Sequence, residues 1–163
     1  DMGVSFKGFL YAGLMIKNNN PYLIEYNVRM GDPECQVIMP RLKTKLIEII
    51  NSVVHNKIKN IKIAWNKKKC MAVVLCAKGY PGRYKKFKLI RNLKNINLDN
   101  DSRIFHAGTI KKKKEFFSTG GRVLNITSTG NQLLSVRKKI HKIIKKINWK
   151  HGFYRSDIGW RVI

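Results

Sequence analysis

Residues Phe9–Arg29 read FLYAGLMIKNNNPYLIEYNVR. Two apolar runs, FLYAGLMI and YLIEYNVR, flank a polar Lys17–Pro21 stretch that contains Asn18, Asn19 and Asn20. Asparagine and proline are turn residues, because asparagine tolerates left-handed backbone angles and proline pre-sets φ. The spacing predicts a hairpin: a buried strand over Phe9–Ile16 and its partner over Tyr22–Arg29. On such a partner strand, side chains alternate between faces. Glu25, Asn27 and Arg29 then project from one face, and Ile24, Tyr26 and Val28 pack on a core from the other.

Downstream, Lys43–Asn56 predicts a helix with Leu46, Ile49, Ile50 and Val53 on one stripe and Thr44 as N-cap. The polar, basic segment His55–Lys69 predicts a domain boundary. Lys69–Ala77 (KCMAVVLCA) predicts a buried strand, and Gly79-Tyr80-Pro81-Gly82 a turn. Short strands are expected near Lys88–Ile90, Ile104–His106 and Arg122–Thr127, and an exposed loop over Lys94–Asp101. In Asn131–Ile147, apolar residues recur at helical steps (Leu133, Val136, Ile140, Ile143, Ile144, Ile147), with Asn131 placed to cap. Gly3 is positioned to close a helix upstream of it. The fold class expected is α+β.

Composition bounds the function classes. Hydrophobic residues make up 44% of 163, enough for a core. No apolar run reaches membrane-span length. Cys35, Cys70 and Cys76 have no zinc spacing and read as reduced thiols. The net charge of +25 admits a nucleic-acid binder. However, 25 of the 34 cations are lysine, and Lys, Asn and Ile together fill 60 positions, the pattern of an AT-biased genome. The lysines fall in short scattered runs, not along a groove interleaved with arginine and aromatics. Nucleic acid is therefore not the expected partner.

Acids are scarce, nine in all, yet Glu25, Asp32 and Glu34 fall within ten residues. A carboxylate, an amide oxygen and a guanidinium on one strand face suit a metal–phosphate site. Magnesium takes one or two protein oxygens and fills the rest from water and phosphate. Arginine grips phosphoryl or carboxylate groups with a planar fork. An ordinary edge strand with a surface Glu–Arg pair has the same spacing.

The order of several motifs goes further. Gly8–Met15 (GFLYAGLM), Glu25–Gln36 (EYNVRMGDPECQ), Gly79–Gly82 (GYPG), Phe105–Thr109 (FHAGT), Gly120–Leu124 (GGRVL) and Tyr154–Arg161 (YRSDIGWR) stand in sequence along essentially the whole chain. This series resembles the rear part of phosphoribosylamine–glycine ligases of the ATP-grasp superfamily. The resemblance implies the end of an ATP-grasp domain (residues 1–60), with antiparallel strands and a helix. A small mixed-sheet C-terminal domain with a long helix (residues 61–163) follows.

It also implies a reaction. ATP, glycine and 5-phosphoribosylamine are the substrates, glycyl phosphate the intermediate, and Mg²⁺ or Mn²⁺ the cofactor. By motif position, Glu25 and Asn27 match the metal ligands and Arg29 the basic residue facing the reacting groups. Asp32 and Glu34 are expected to shape the substrate pocket, and Arg122 to donate to phosphate. His106 is expected to be structural, Trp160 to pack, and Cys35 not to act as a nucleophile. Two positions depart from the family: Lys45, where an acid is common near a helix start, and Phe87, where glycine is common. The glycine-rich nucleotide loop, the phosphate-gripping lysine and the N-terminal substrate domain would lie upstream. The chain is therefore expected to be a fragment, inactive alone, whose partner is the N-terminal part of the same enzyme. The parent is expected to be cytoplasmic and monomeric. A basic nucleic-acid-binding module, another ATP-grasp carboxylate–amine ligase, or a degenerate structural remnant is an alternative reading.

Overall fold

The computed structural model describes residues 3–163. The chain is α+β, with antiparallel strand pairings and one long helix. It divides into two compact units: Asp1–Cys35 with Leu42–Asn66, and Gln36–Arg41 with Lys67–Ile163.

In the first unit, strands β1 (Tyr11–Lys17) and β2 (Asn20–Asn27) form an antiparallel hairpin. Asn18 and Asn19 make its turn at φ 50° and 61°. Two successive positive φ values match the right-handed twist of the strands, and asparagine adopts them at low cost. The strand expected over Phe9–Ile16 starts two residues later and ends one residue later, and it is not buried. Leu14, Met15 and Ile16 are exposed, as are Ile24, Tyr26 and Val28. Two strands make a single layer, and an apolar face is buried only when a second layer covers it. Strand β2 stops at Asn27, so Val28 and Arg29 fall in a bend instead of extending the alternation. Gly3 has φ 63°, a left-handed angle suited to a helix end; any helix before it lies outside the described residues.

After a single helical turn, α1 (Cys35–Ile38), comes helix α2 (Leu46–Val54). It is shorter than the spacing predicts, and Thr44 does not cap it. Lys45 occupies the N-cap without a side-chain bond. The Thr44 hydroxyl instead accepts the Ala64 N–H at 2.8 Å, and the Lys43 N–H donates to the Ala64 carbonyl at 3.0 Å. Lys45, the charge-reversed position, stands 3.9 Å from Glu48 one turn on, so an acid is still present in the first turn. Ile49 is the buried member of the stripe.

The second unit is built on a four-stranded antiparallel sheet. Its elements are β3 (Lys69–Ala77), β4 (Ser102–His106), the hairpin β5 (Thr109–Lys112) and β6 (Glu115–Ser118), β7 (Arg122–Gly130), α3 (Leu133–Ile147) and β8 (Gly152–Phe153). The sheet order is β4-β7-β3-β8. Helix α3 lays Val136, Ile140, Ile143, Ile144 and Ile147 on a core with Met71, Val73, Leu75, Leu124 and Ile126. Asn131 does not cap this helix. Gln132 is the N-cap, without a side-chain bond, and Asn148 ends the helix at φ 46° with its N–H on the Ile144 carbonyl.

The hairpin β5–β6 was not predicted: Lys111–Lys114 reads as a charge run, but Lys113 at φ 54° turns the chain there. Conversely, the strand expected over Lys88–Ile90 reduces to one bridge, Leu89 to Phe117.

Candidate functional site

In the first unit the hairpin sets Gly13 opposite Glu25 and Tyr11 opposite Asn27. Register between these pairs is unbroken, so Glu25 and Asn27 share a face. The irregularity lies just before them, between Gly13 and Leu14, where Ile24 is left without a cross-strand partner. Such bulges re-aim the side chains beside them. A Cβ on Gly13 would stand 3.1 Å from the Glu25 Cγ and 3.7 Å from the Tyr11 ring. Glycine here leaves room for the Glu25 side chain to lie across β1.

Tyr11, which sequence reading missed, is the centre of this cluster. The negative charge of Glu34 raises its phenol pKa most. Loss of solvent, a hydrogen bond to Glu34 and the charge of Glu25 add to the rise. Two carboxylates thus converge on one phenol from β2 and from the segment that follows it. The signal was present in the sequence, since Tyr11 stands two residues before Gly13, but only the register shows which residues face it.

The other expected residues of this unit lie beyond β2. The Arg29 guanidinium is exposed and donates to the Met30 carbonyl at 2.9 Å. Asp32 is exposed and Glu34 half-buried. Gly31 is buried under Glu34: a Cβ on it would collide with a Glu34 carboxylate oxygen. The Gly31 carbonyl accepts the Cys35 N–H at 2.9 Å, which starts α1. The Cys35 thiol donates a weak hydrogen bond to the Met30 thioether sulfur at 3.4 Å.

The second unit gathers the remaining motifs into a glycine-built seam. A Cβ on Gly108 would stand 2.6 Å from Gly120 backbone atoms, and one on Gly121 would strike the Tyr80 ring. The Gly108 carbonyl accepts the Thr119 N–H at 2.7 Å, and the Gly108 N–H donates to the Arg122 carbonyl at 2.9 Å. These glycines serve close backbone approach. Gly108 and Thr109 both have their N–H groups spent on backbone carbonyls. Arg122 opens β7 with an exposed side chain, and its charge partly offsets the burial that pushes the Cys76 thiol up. Burial likewise raises Cys70. All three cysteines are free thiols.

His106 is held as a structural histidine: Nδ1 lies 2.8 Å from the Thr109 hydroxyl, and the ring rests 4.9 Å from Phe116. Loss of solvent lowers its pKa. Trp160 does not pack into the core. It is 59% exposed, with the Arg161 guanidinium 5.2 Å over its ring.

Comparison with known proteins places this architecture. The profile described as phosphoribosylglycinamide synthetase, C domain, matches residues 70–161, more than half of the chain. The chain belongs to the phosphoribosylglycinamide synthetase family. The ATP-grasp (A) domain of the same family matches residues 1–35, the segment that carries the hairpin. A phosphoribosylamine–glycine ligase of Brucella melitensis is 42% identical over 163 residues, which is all of this chain and 38% of the relative. The chloroplastic phosphoribosylamine–glycine ligase of Arabidopsis thaliana is 41% identical, over 99% of this chain and 31% of its own length. The crystal structure of the phosphoribosylamine–glycine ligase from Thermotoga maritima superposes with a TM-score of 0.71 at 34% identity, covering 95% of this chain and 38% of that one. The chain therefore spans well under half the length of these members of the phosphoribosylglycinamide synthetase family. None of its described helices is long and apolar enough to cross a membrane.

Proposed function

We propose that this chain supplies the metal- and phosphate-gripping edge of an enzyme that joins 5-phosphoribosylamine to glycine at the expense of ATP. The observation that carries the reading is the juxtaposition of Glu25 and Asn27 on one face of β2, with Tyr11 and Glu34 beside them. The donor set fits a hard divalent cation. Glu25 offers a carboxylate and Asn27 an amide oxygen, and the missing side chain at Gly13 gives Glu25 its place. Among the described residues no three His, Cys, Asp or Glu side chains gather around a point. Two protein oxygens completed by water and ATP phosphate are the usual pattern for Mg²⁺, and Mn²⁺ accepts the same ligands. When bound, such an ion neutralises phosphate charge.

The chain's own residues do the rest. Glu34, hydrogen-bonded to Tyr11, holds the segment after β2 against the hairpin. Arg29 is exposed, so its guanidinium is available to a phosphoryl group on the glycine carboxylate, the species that the amine then attacks. Asp32 is assigned to the substrate pocket with Glu34, and Arg122, from the second unit, to a substrate phosphate. Residues 1–60 and 61–163 are read as the end of the ATP-grasp domain and the C-terminal domain. The parent enzyme is read as a cytoplasmic monomer.

Positioning from several sides is needed for phosphoryl transfer, so this polypeptide alone is expected to form no glycinamide ribonucleotide. The test is a chimera in which it replaces the matching part of the Brucella melitensis relative. The chimera is expected to turn over, and Glu25→Gln or Asn27→Ala to lower its kcat by about 100-fold or more. Full activity in either variant would refute the metal assignment. Turnover by the isolated chain would refute its dependence on the rest.

A further inference from the structure

We propose that the cleft between the Gly79–Lys88 loop and the Asn148–His151 turn is a binding site for a compact condensed phosphate, that is, a pyrophosphoryl group. The cleft belongs wholly to the second unit. Its cavity measures about 450 Å³ and is lined by Lys78, Arg83, Tyr84, Lys85, Lys88 and His151. A second cavity of about 440 Å³ shares His151 and adds Arg91 and Lys150. Neither cavity is lined by a carboxylate.

The charge here is uncompensated. Ion pairs among the described residues lie elsewhere: Glu48 takes Lys45, Asp99 takes Lys139, Asp101 takes Lys68, Glu115 takes Lys94, and Asp157 takes Arg155. Among the described residues, none of the cations lining the cleft has a carboxylate partner. Several like charges converging on one concavity repel one another, and low-dielectric walls focus their field on whatever anion enters. The solvent-facing side of α3 presents the contrasting case. Its lysines (Lys138, Lys142, Lys145, Lys146) are exposed on a convex, solvated helix face.

The walls of the cleft are fixed by the backbone. The Lys78 N–H donates to the His151 carbonyl at 2.9 Å, which ties the end of β3 to the opposite turn. The Lys88 N–H donates to the Ser118 hydroxyl at 3.1 Å, and the Ile90 N–H to the Phe116 carbonyl at 2.8 Å. Tyr84 is half-buried, edge-on to Tyr80 with ring centroids 6.2 Å apart, and brings a phenol among the cations. A volume of this size is that of a small-molecule pocket. It takes one compact polyanion, whereas a nucleic-acid strand needs a continuous track with stacking platforms.

The test uses the full chain and sodium pyrophosphate, titrated calorimetrically at moderate salt. One equivalent is expected to bind. The triple variant Arg83→Gln, Lys85→Gln, Lys88→Gln is expected to bind about tenfold more weakly or worse, because charge-assisted bonds are lost. A control variant, Lys138→Gln, Lys142→Gln, Lys146→Gln, removes the same charge from the α3 face and is expected to bind as the parent does. Circular dichroism establishes that both variants fold. Tripolyphosphate and ATP as further titrants separate the two sources of the group: binding by both identifies a bare phosphate chain, and binding by ATP over the inorganic anions identifies the tail of a nucleotide. Equal weakening in the two triple variants would mean diffuse charge and overturn the site. So would the absence of saturable binding, or a single-stranded oligonucleotide that outcompetes pyrophosphate at equal phosphate concentration.

Discussion

Gly13 lies directly across the hairpin from Glu25, and the Glu25 Cγ stands 3.1 Å from where a Cβ on residue 13 would be. The glycine and the carboxylate therefore form one feature: the absent side chain on β1 sets the path of the present one on β2. Gly13→Val would displace Glu25 without changing any proposed ligand. In the chimera, this variant is expected to raise the Mg²⁺ concentration needed for half-maximal rate by about tenfold or more. An unchanged Mg²⁺ dependence would separate Glu25 from the metal.

Phe87 occupies a left-handed backbone position, φ 57°, of the kind that favours glycine. A side chain there costs about 1–2 kcal/mol in backbone strain. Glycine also loses more freedom on folding, and Phe87 gives up its contact with Lys112, 5.2 Å from the ring. The net expectation for Phe87→Gly is a gain of about 0.5–1 kcal/mol, read as a higher urea midpoint with unchanged m-value. A lower midpoint would show that the ring holds the loop.

Two glycines of the second unit, Gly108 and Gly82, can be ranked. A Cβ on Gly108 meets Gly120 backbone atoms at 2.6 Å, which cannot swing aside. A Cβ on Gly82 meets only the Gly79 carbonyl, at 3.2 Å. Gly108→Ala is expected to destabilise by about 2–3 kcal/mol and Gly82→Ala by under about 1 kcal/mol. Equilibrium unfolding of the two variants side by side checks the order.

Helix α3 carries a pH response. His141 Nε2 is buried without a hydrogen-bond partner, and the ring lies 5.4 Å from that of Tyr154. Burial, then the charges of Arg137 and Lys145, lower its pKa. The folded state thus refuses a proton that the unfolded state accepts near its ordinary value of about 6.5. Stability is full above that value and declines as pH falls through it toward the lowered folded value. Denaturation between pH 7.5 and 5.5 is expected to show this slope, and His141→Gln to reduce it, the lowered His106 supplying the remainder. The lowered carboxyls of Asp99 and Asp101 act separately, losing their contribution at more acid pH, as pH falls through the ordinary carboxylate range toward their lowered values.

Much of the architecture was legible in the residues themselves. The strand over Lys69–Ala77, the long helix ending at Ile147 and the asparagine turn of the hairpin follow from periodicity and local backbone preference, which are properties of short segments. The misreadings share one cause. Thr44 and Asn131 have the chemistry of helix caps, but Thr44 bonds Ala64, twenty residues away, and α3 begins at Leu133 with Gln132 as its cap. The apolar hairpin read as buried, yet burial depends on what covers a strand and not on its composition. The run Lys111–Lys114 masked a turn because charge hides period.

By itself, then, the order of residues determined the family motifs, the α+β class and the Glu25–Asn27 spacing, since each is written in local sequence. Only the tertiary structure decided that Tyr11 stands among these groups with Glu34, that Gly108 and Gly120 touch, and that the cations of two distant loops face one cavity. Those relations join residues far apart in the chain, and strand register and loop closure set them only once the backbone has folded.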